Sequence, residues 1–366
     1  MLNRTLFMVL IAGTLSMPAI SPAAQGTPGG DLAALSGIHG AGASGEFAKP
    51  SVVSPAASFL FTEEFFATTG APPLTDDRVK AQIRHFMTTG RPLLQNWLDR
   101  SARFIPLMKG IFREHNLPED LVYVAMIESG LRMNAISRSR AVGPWQFMAT
   151  TAREYGLMIN EWVDERRDPV KSTHAAAAFL HDLYGRFGSW HLALAAYNAG
   201  AGKIRRALDR SRDDGFADIY ASRLLVQETR NYVPKLMAAI TIARNREQYG
   251  FTEKYNKAFS YEELKIEKSV DLYEIAIFAG CSREDIKKLN PEIESRTTPP
   301  YARDYVLRIP VGTKQRYLAS LNLFPRDLAP GKPRFDEALS HIDKGRTHVY
   351  ALLRRRDPSS ASAITL

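Results

Sequence analysis

The sequence predicts a mainly α-helical body followed by a small α+β unit. Three observations carry this. Apolar residues recur at helical spacing from Leu93 to about Tyr249 with little interruption. No alternation of apolar and polar residues with period two stands out before residue 260. Beyond Glu262 the pattern breaks into short segments and ends in the alternating run Tyr305 to Ile309, which Pro310 stops.

In chain order, residues 1–24 read as an export signal. Arg4 supplies the positive start, and Leu6 to Leu15 is apolar but too short to span a membrane. Ser21-Pro22-Ala23 and Pro22-Ala23-Ala24 are candidate cleavage sites. With no cysteine near them, a lipid anchor on a mature N-terminal Cys is not expected. Residues 25–57 are rich in Gly, Ala, Ser and Pro and read as a disordered linker. Residues 58–116 form the N-terminal helical part of the body. Large apolar residues return at Phe59, Leu60, Phe61, Phe65 and Phe66, Thr75-Asp76-Asp77 caps a helix through Met87, and a second helical pattern runs from Leu93 to Phe112.

Residues 117–251 make the main body. Pro118 to Leu131 reads as one helix, with Glu119 and Asp120 at its positive end. Gly143 to Met148 is a turn that opens a helix. Ala175–Leu183 and His191–Ala196 are helical, broken at Gly188, and the second ends at Gly200 as C-cap. Glu228 to Pro234 opens another helix. In residues 262–312, Ser269–Ala279 and Arg283–Leu289 are short helices, Asn290-Pro291 ends the second, and Thr297 to Pro300 is a loop. Residues 313–339 read as a linker, with Lys314 to Pro333 as connector, and residues 340–366 as a closing piece.

The totals exclude little. The 366 residues are 45% hydrophobic and 24% charged, ordinary for a folded protein. Forty-eight Lys+Arg against 39 Asp+Glu give a net charge of +9, which suits an anionic polymer. No zinc-finger or RNP motif points to nucleic acid. Arg354-Arg355-Arg356 reads as a solvated helix face. Cys281 is the only cysteine, so no intramolecular disulfide forms. The eight His include no pair at i,i+4 within an acidic cluster. Neither a metal nor a cofactor is expected.

Glu128 is the residue that departs from pattern. Leu121, Val124, Ala125, Glu128 and Leu131 share one helical face, so a carboxylate stands on an apolar stripe. Desolvation raises the pKa of such a group, which suits a general acid near neutral pH. The plain alternative is an ion pair with an arginine such as Arg132. Downstream segments share aromatic, amide and glycine residues: Gly143-Pro144-Trp145-Gln146-Phe147-Met148, Ala195-Ala196-Tyr197-Asn198-Ala199-Gly200 and Glu228-Thr229-Arg230-Asn231-Tyr232-Val233-Pro234. Aromatic faces stack on sugar rings, and amides read hydroxyl and acetamido groups. The plain alternative places Trp145, Phe147 and Tyr197 in the core.

Together these segments resemble the lytic transglycosylases of the goose-lysozyme-like, soluble-lytic-transglycosylase class, nearest to the membrane-bound lytic murein transglycosylase D group. Leu117-Pro118-Glu119-Asp120-Leu121, Glu128-Ser129-Gly130, Asp168-Pro169, Phe187-Gly188-Ser189-Trp190 and Tyr232-Val233-Pro234-Lys235 also carry the likeness, which runs from Phe59 to Phe251. It implies a lysozyme-like all-helical catalytic domain acting on peptidoglycan glycan strands, in the periplasm or cell envelope. Glu128 would be acid and base. Ser129 would orient it or bond the acetamido sugar. Gln146, Tyr197 and Asn198 would line sugar subsites, and Tyr232 would reach back to Glu128. Two positions depart from the family pattern: Arg140, where Gly is frequent, and Ala149, where Pro is usual.

Residues 262–312 resemble a degenerate LysM-type module through Leu289-Asn290-Pro291 and Leu307-Arg308-Ile309-Pro310. Residues 340–366 resemble the opening of a second, truncated one. The matched motifs offer one acid, whereas ordinary glycosidases need two. The resemblance implies that the sugar assists its own cleavage and that the product is a 1,6-anhydro sugar. A hydrolase on the same fold and a peptidoglycan-binding scaffold are the alternatives.

Overall fold

The computed structural model describes residues 77–211, 219, 224–252, 257–301 and 305–323. The expected export signal, linker, aromatic run Phe59–Phe66, triple arginine and closing piece lie outside these residues.

The body is helical. Helices α1 (Asp77–Met87) and α2 (Arg91–Glu114) lead into a 3-10 turn, Glu119–Val122, and the short α3 (Tyr123–Ser129). After an irregular stretch come α4 (Ala149–Glu154), a 3-10 turn at Glu165–Arg167, α5 (Lys171–Phe187), α6 (Trp190–Ala199), α7 (Ala201–Arg210) and α8 (Gln227–Arg244). Helix α8 packs on α1, α3 and α6, and α5 packs on α2 and α6. Leu94, Met108, Phe112, Leu121, Met126, Trp145 and Leu180 form the centre of this core.

The expected single helix Pro118–Leu131 is thus split and shorter. Its end follows from Gly130, which takes the left-handed conformation at φ 63°. A Cβ there would overlap the Trp97 indole, so the close packing of α2 on the helix end requires glycine. The carbonyls of Met126 and Ala125 then accept the Gly130 and Leu131 amides. Below the helix, the buried Asp120 pairs with Lys109 of α2 and Arg244 of α8, tying three segments together.

Residues beyond 260 form the α+β unit. Strand β1 (Glu262–Ile266) pairs antiparallel with β2 (Tyr305–Ile309), with Leu264 opposite Leu307. Between them lie α9 (Leu272–Ala279) and α10 (Arg283–Leu289), the latter opened by a Ser282–Asp285 capping box. Two features were not expected. β1 is a strand, with Leu264 and Ile266 turned inward. Residues 314–323, expected as connector, form helix α11 (Lys314–Leu323) on α9, with Tyr317 edge-on to Phe278. The linker reading fails here because Tyr317 has core to cover, and tertiary burial overrides weak local periodicity.

The unit is also less separate than its composition implied. Val163 of the body lies in its core and forms an antiparallel bridge with Ile293. The Asp164 amide donates to the Glu292 carbonyl, and the Glu294 amide to the Trp162 carbonyl, at 2.8 and 2.9 Å.

Candidate active site

Glu128 sits in the last turn of α3, on the side facing α8. Its neighbours on the helix are buried, while Glu128 itself keeps partial solvent access. Burial pushes its carboxyl above the ordinary carboxylate range. A hydrogen bond from Tyr232 and the charge of Lys235 oppose that rise, and Glu228 adds to it. The Tyr232 hydroxyl donates to Glu128 Oε1 at 2.6 Å. One helical turn on, Lys235 Nζ donates to the Ile127 carbonyl at 3.2 Å and lies over the Trp97 ring. Arg132, the alternative partner for Glu128, bonds the Ser129 carbonyl at 3.1 Å.

The second part of the site is the stretch from Ala135 to Met148. It folds back on itself through paired bonds between Val142 and Phe147 and a bond from the Gly143 amide to the Ala135 carbonyl. Gly143 has φ 85°, and a Cβ on it would overlap the Arg166 carbonyl. Gln146 is half-buried at φ 51°, its amide nitrogen donating to the Gly143 carbonyl at 2.9 Å. Thus Gly143 to Met148 is a tight turn, and the helix begins only at Ala149. Ala149 is the first helical residue, where proline's fixed φ is tolerated. Arg140 sits at φ 64°, a conformation suited to glycine. Both departures from the family pattern therefore have a backbone meaning.

Three bonds hold these segments together. Ser129 Oγ is buried and donates to the Pro144 carbonyl at 2.9 Å, fixing α3 to the turn. The Tyr197 hydroxyl donates to the Trp145 carbonyl at 2.7 Å, fixing α6 to it. Burial and the nearby Glu128 charge raise the Tyr197 pKa. Asn198 Oδ1 accepts from Thr229 Oγ1 in the first turn of α8 at 3.0 Å. Glu128, Ser129, Gln146, Tyr197, Asn198 and Tyr232 are thus carried by four segments that these bonds link into one assembly.

Trp145 and Phe147 do not present sugar-stacking faces. Trp145 is fully buried, stacked on Phe112 at 5.4 Å, with Nε1 donating to Thr173 Oγ1. Phe147 is likewise core. The acids of the 164–168 loop are committed elsewhere: Asp164 to Arg166, Glu165 to Lys171, Asp168 to Arg308. Among the described residues no group of three or more His, Cys, Asp or Glu could hold a metal ion. Lys235, Glu228 and Arg166 had no assigned role in the sequence reading. The signal for the first was its position three residues after Tyr232, which puts both on one face of α8.

Residues 109–219 match the transglycosylase SLT domain family, a span that includes α3, the turn and α6. The chain carries a transglycosylase SLT domain. Behind the SLT domain, residues 260–325 match the LysM-like domain of lytic transglycosylase MltD, a span that takes in α11. The chain is 30% identical over 236 residues to membrane-bound lytic murein transglycosylase D of Escherichia coli K12, covering 63% of this chain and 52% of that protein. It is 36% identical over 121 residues to a putative tributyltin chloride resistance protein of an Alteromonas species, covering 32% of this chain and 58% of the other. It thus spans about half the length of these relatives. Among solved structures it is similar to the 70 kDa soluble lytic transglycosylase of Escherichia coli, with TM-score 0.35 and 20% identity over 50% of this chain and 32% of that one. Within the SLT domain, the partly enclosed acid belongs to the segment that opens the match. No helix among the described residues is long and apolar enough to cross a membrane.

Proposed function

We propose that this protein is a peptidoglycan lytic transglycosylase. It cleaves the β-1,4 bond between N-acetylmuramic acid and N-acetylglucosamine and closes a 1,6-anhydro ring on the muramoyl residue. The observation that carries this reading is Glu128: a desolvated carboxyl with raised pKa, oriented by Tyr232, within a matched SLT domain. Such a carboxyl holds a proton closer to neutral pH than an exposed glutamate does.

Tyr232 occupies Oε1, so Oε2 carries the proton toward the glycosidic oxygen. As that proton transfers, the C1–O bond breaks and its electron pair leaves with the departing glucosaminyl oxygen. The 2-acetamido carbonyl of the muramoyl sugar stabilises the cation at C1. Glu128, now a carboxylate, accepts the proton of the C6 hydroxyl, and O6 bonds to C1. The acid is regenerated, and no water is consumed. Lys235 and Tyr232 favour the carboxylate stage, and burial favours the acid stage. Gln146, Tyr197 and Asn198 line the sugar subsites, and Ser129 holds α3 against the turn. Residues 1–24 direct export to the periplasm or cell envelope, where the glycan strands are.

Mass spectrometry of muropeptides released from purified sacculi tests this reading. Anhydro ends with the wild type, and a loss of release exceeding about a hundredfold with Glu128→Gln, are expected. Reducing ends would make the protein a hydrolase. A Glu128→Gln protein keeping more than about a tenth of the rate would move the acid elsewhere.

A further inference from the structure

We propose that the C-terminal α+β unit is a working part of the active-site wall, acting through a buried clamp between Arg308 and Asp168. The inference rests on the proposed reaction only for its kinetic arm. Arg308 on β2 grips Asp168 with both guanidinium nitrogens, at 2.8 and 3.0 Å. Both side chains are buried, and the pair bridges 140 residues of sequence. The same Asp168 oxygen that receives one of these bonds accepts the Val170 and Lys171 amides, so the clamp also sets the start of α5.

From this clamp a set of contacts leads to the turn that carries Gln146, beginning with Arg308 Nη1, which lies 3.8 Å from the Glu292 carboxylate. The Glu292 carbonyl of the unit receives the Asp164 amide. Asp164 holds Arg166 by two bonds of 2.8 Å. Arg166 in turn donates to the carbonyls of Arg140 and Phe147, one on each side of the turn, at 3.3 and 3.2 Å. Its own carbonyl lies directly under Gly143, closer than any side chain would permit. The turn keeps two non-glycine residues, Arg140 and Gln146, at positive φ. Such conformations persist only where surrounding contacts over-determine them. Arg166 supplies those contacts, and the C-terminal unit supplies the frame that holds Arg166. Arg308 and Arg166 are therefore positioning residues, and the LysM-like unit serves the cleft whether or not it touches glycan itself.

Hydrogen exchange on the full-length protein tests the clamp without using activity. With Arg308→Met, exchange across residues 135–148 should accelerate at least about threefold, while α8 keeps its wild-type protection. The double variant Arg308→Met with Asp168→Asn, which removes both charges of the clamp, guards against a single variant that fails to fold. Unchanged exchange across 135–148 in the variant that folds would overturn the proposal. So would an equal rise in α8, because that marks general destabilisation. On sacculi, a loosened turn should raise KM several-fold with kcat within about twofold, whereas a mere loss of folded protein lowers apparent kcat at constant KM. Wild-type KM in a variant with a loosened turn would equally overturn it. A failure of the transglycosylase reading, seen as an active Glu128→Gln protein, leaves the exchange result standing.

Discussion

The Tyr232 hydroxyl and the Glu128 carboxylate meet at 2.6 Å, joining α8 to α3 across 104 residues of sequence. A donor aimed at a carboxylate stabilises the form that appears as the acid gives up its proton. Tyr232→Phe removes a bond to a charged group worth about 1.5–3 kcal/mol. Turnover should fall about 10- to 100-fold, with sacculus affinity nearly unchanged. Single-turnover kinetics on purified sacculi separates the two. Wild-type turnover, or a collapse of binding with turnover intact, would contradict the role given to Tyr232.

Lys235 and Glu228 act on the same carboxyl with opposite sign. In the proposed reaction activity requires protonated Glu128, so its pKa should appear as the falling alkaline limb of kcat/KM. Lys235→Met removes a charge that lowers that pKa and should move the limb to higher pH. Glu228→Gln removes a charge that raises it and should move the limb to lower pH. Glu228 is exposed, so its effect should shrink with added salt more than that of Lys235. Shifts of the same sign in both variants would remove Glu128 as the titrating acid.

Glu292 makes the seam between the two parts sensitive to pH. It is buried beside Asp168, with Arg308, Lys171 and the Tyr305 hydroxyl also facing it, and burial pushes its carboxyl up to about 7. Its folded pKa exceeds its unfolded one, so the folded state binds more protons between those values. The resulting stabilisation is present below the unfolded pKa and is lost as pH rises through about 7. His115 and His174, with lowered pKa values, contribute with the opposite slope. The informative quantity is therefore the difference between wild type and Glu292→Gln by calorimetry. The variant should lose the decline in Tm from about pH 5 to about pH 7 that Glu292 contributes. Parallel Tm curves would show that Glu292 does not titrate there.

The two unusual positions of the active-site turn should respond in opposite directions. Gly143→Ala places a methyl group on the Arg166 backbone at a positive φ, and should destabilise the protein by more than about 2 kcal/mol. Arg140→Gly relieves a left-handed arginine and should stabilise by up to about 1 kcal/mol. Urea unfolding measures both. A tolerated Gly143→Ala would mean that the turn can move away from Arg166.

The legible part of the site was the part written locally. Glu128 on an apolar stripe, Gly200 ending α6, Asn290-Pro291 ending α10 and the strand Tyr305–Ile309 all follow from spacing and turn chemistry over a few residues. Less legible were residues whose meaning depends on a distant partner. Trp145 has the composition of a sugar platform, but Phe112 and Thr173, 33 and 28 residues away, enclose it. Helix α11 has weak periodicity of its own and forms against Phe278.

The helical body, the small unit after residue 260, the acid at position 128 and the segments expected around it were all legible before the fold was known. Each is encoded in the intrinsic period, charge or backbone freedom of contiguous residues. The packed fold added that Arg132 turns to the Ser129 carbonyl, that Ser129 and Tyr197 spend their hydroxyls on the turn, and that Arg308 of the small unit anchors Asp168 of the body. The physical reason is that a hydrogen bond or buried ion pair is set by the angle and distance between two elements. Those are products of the whole packed core, not of either segment alone.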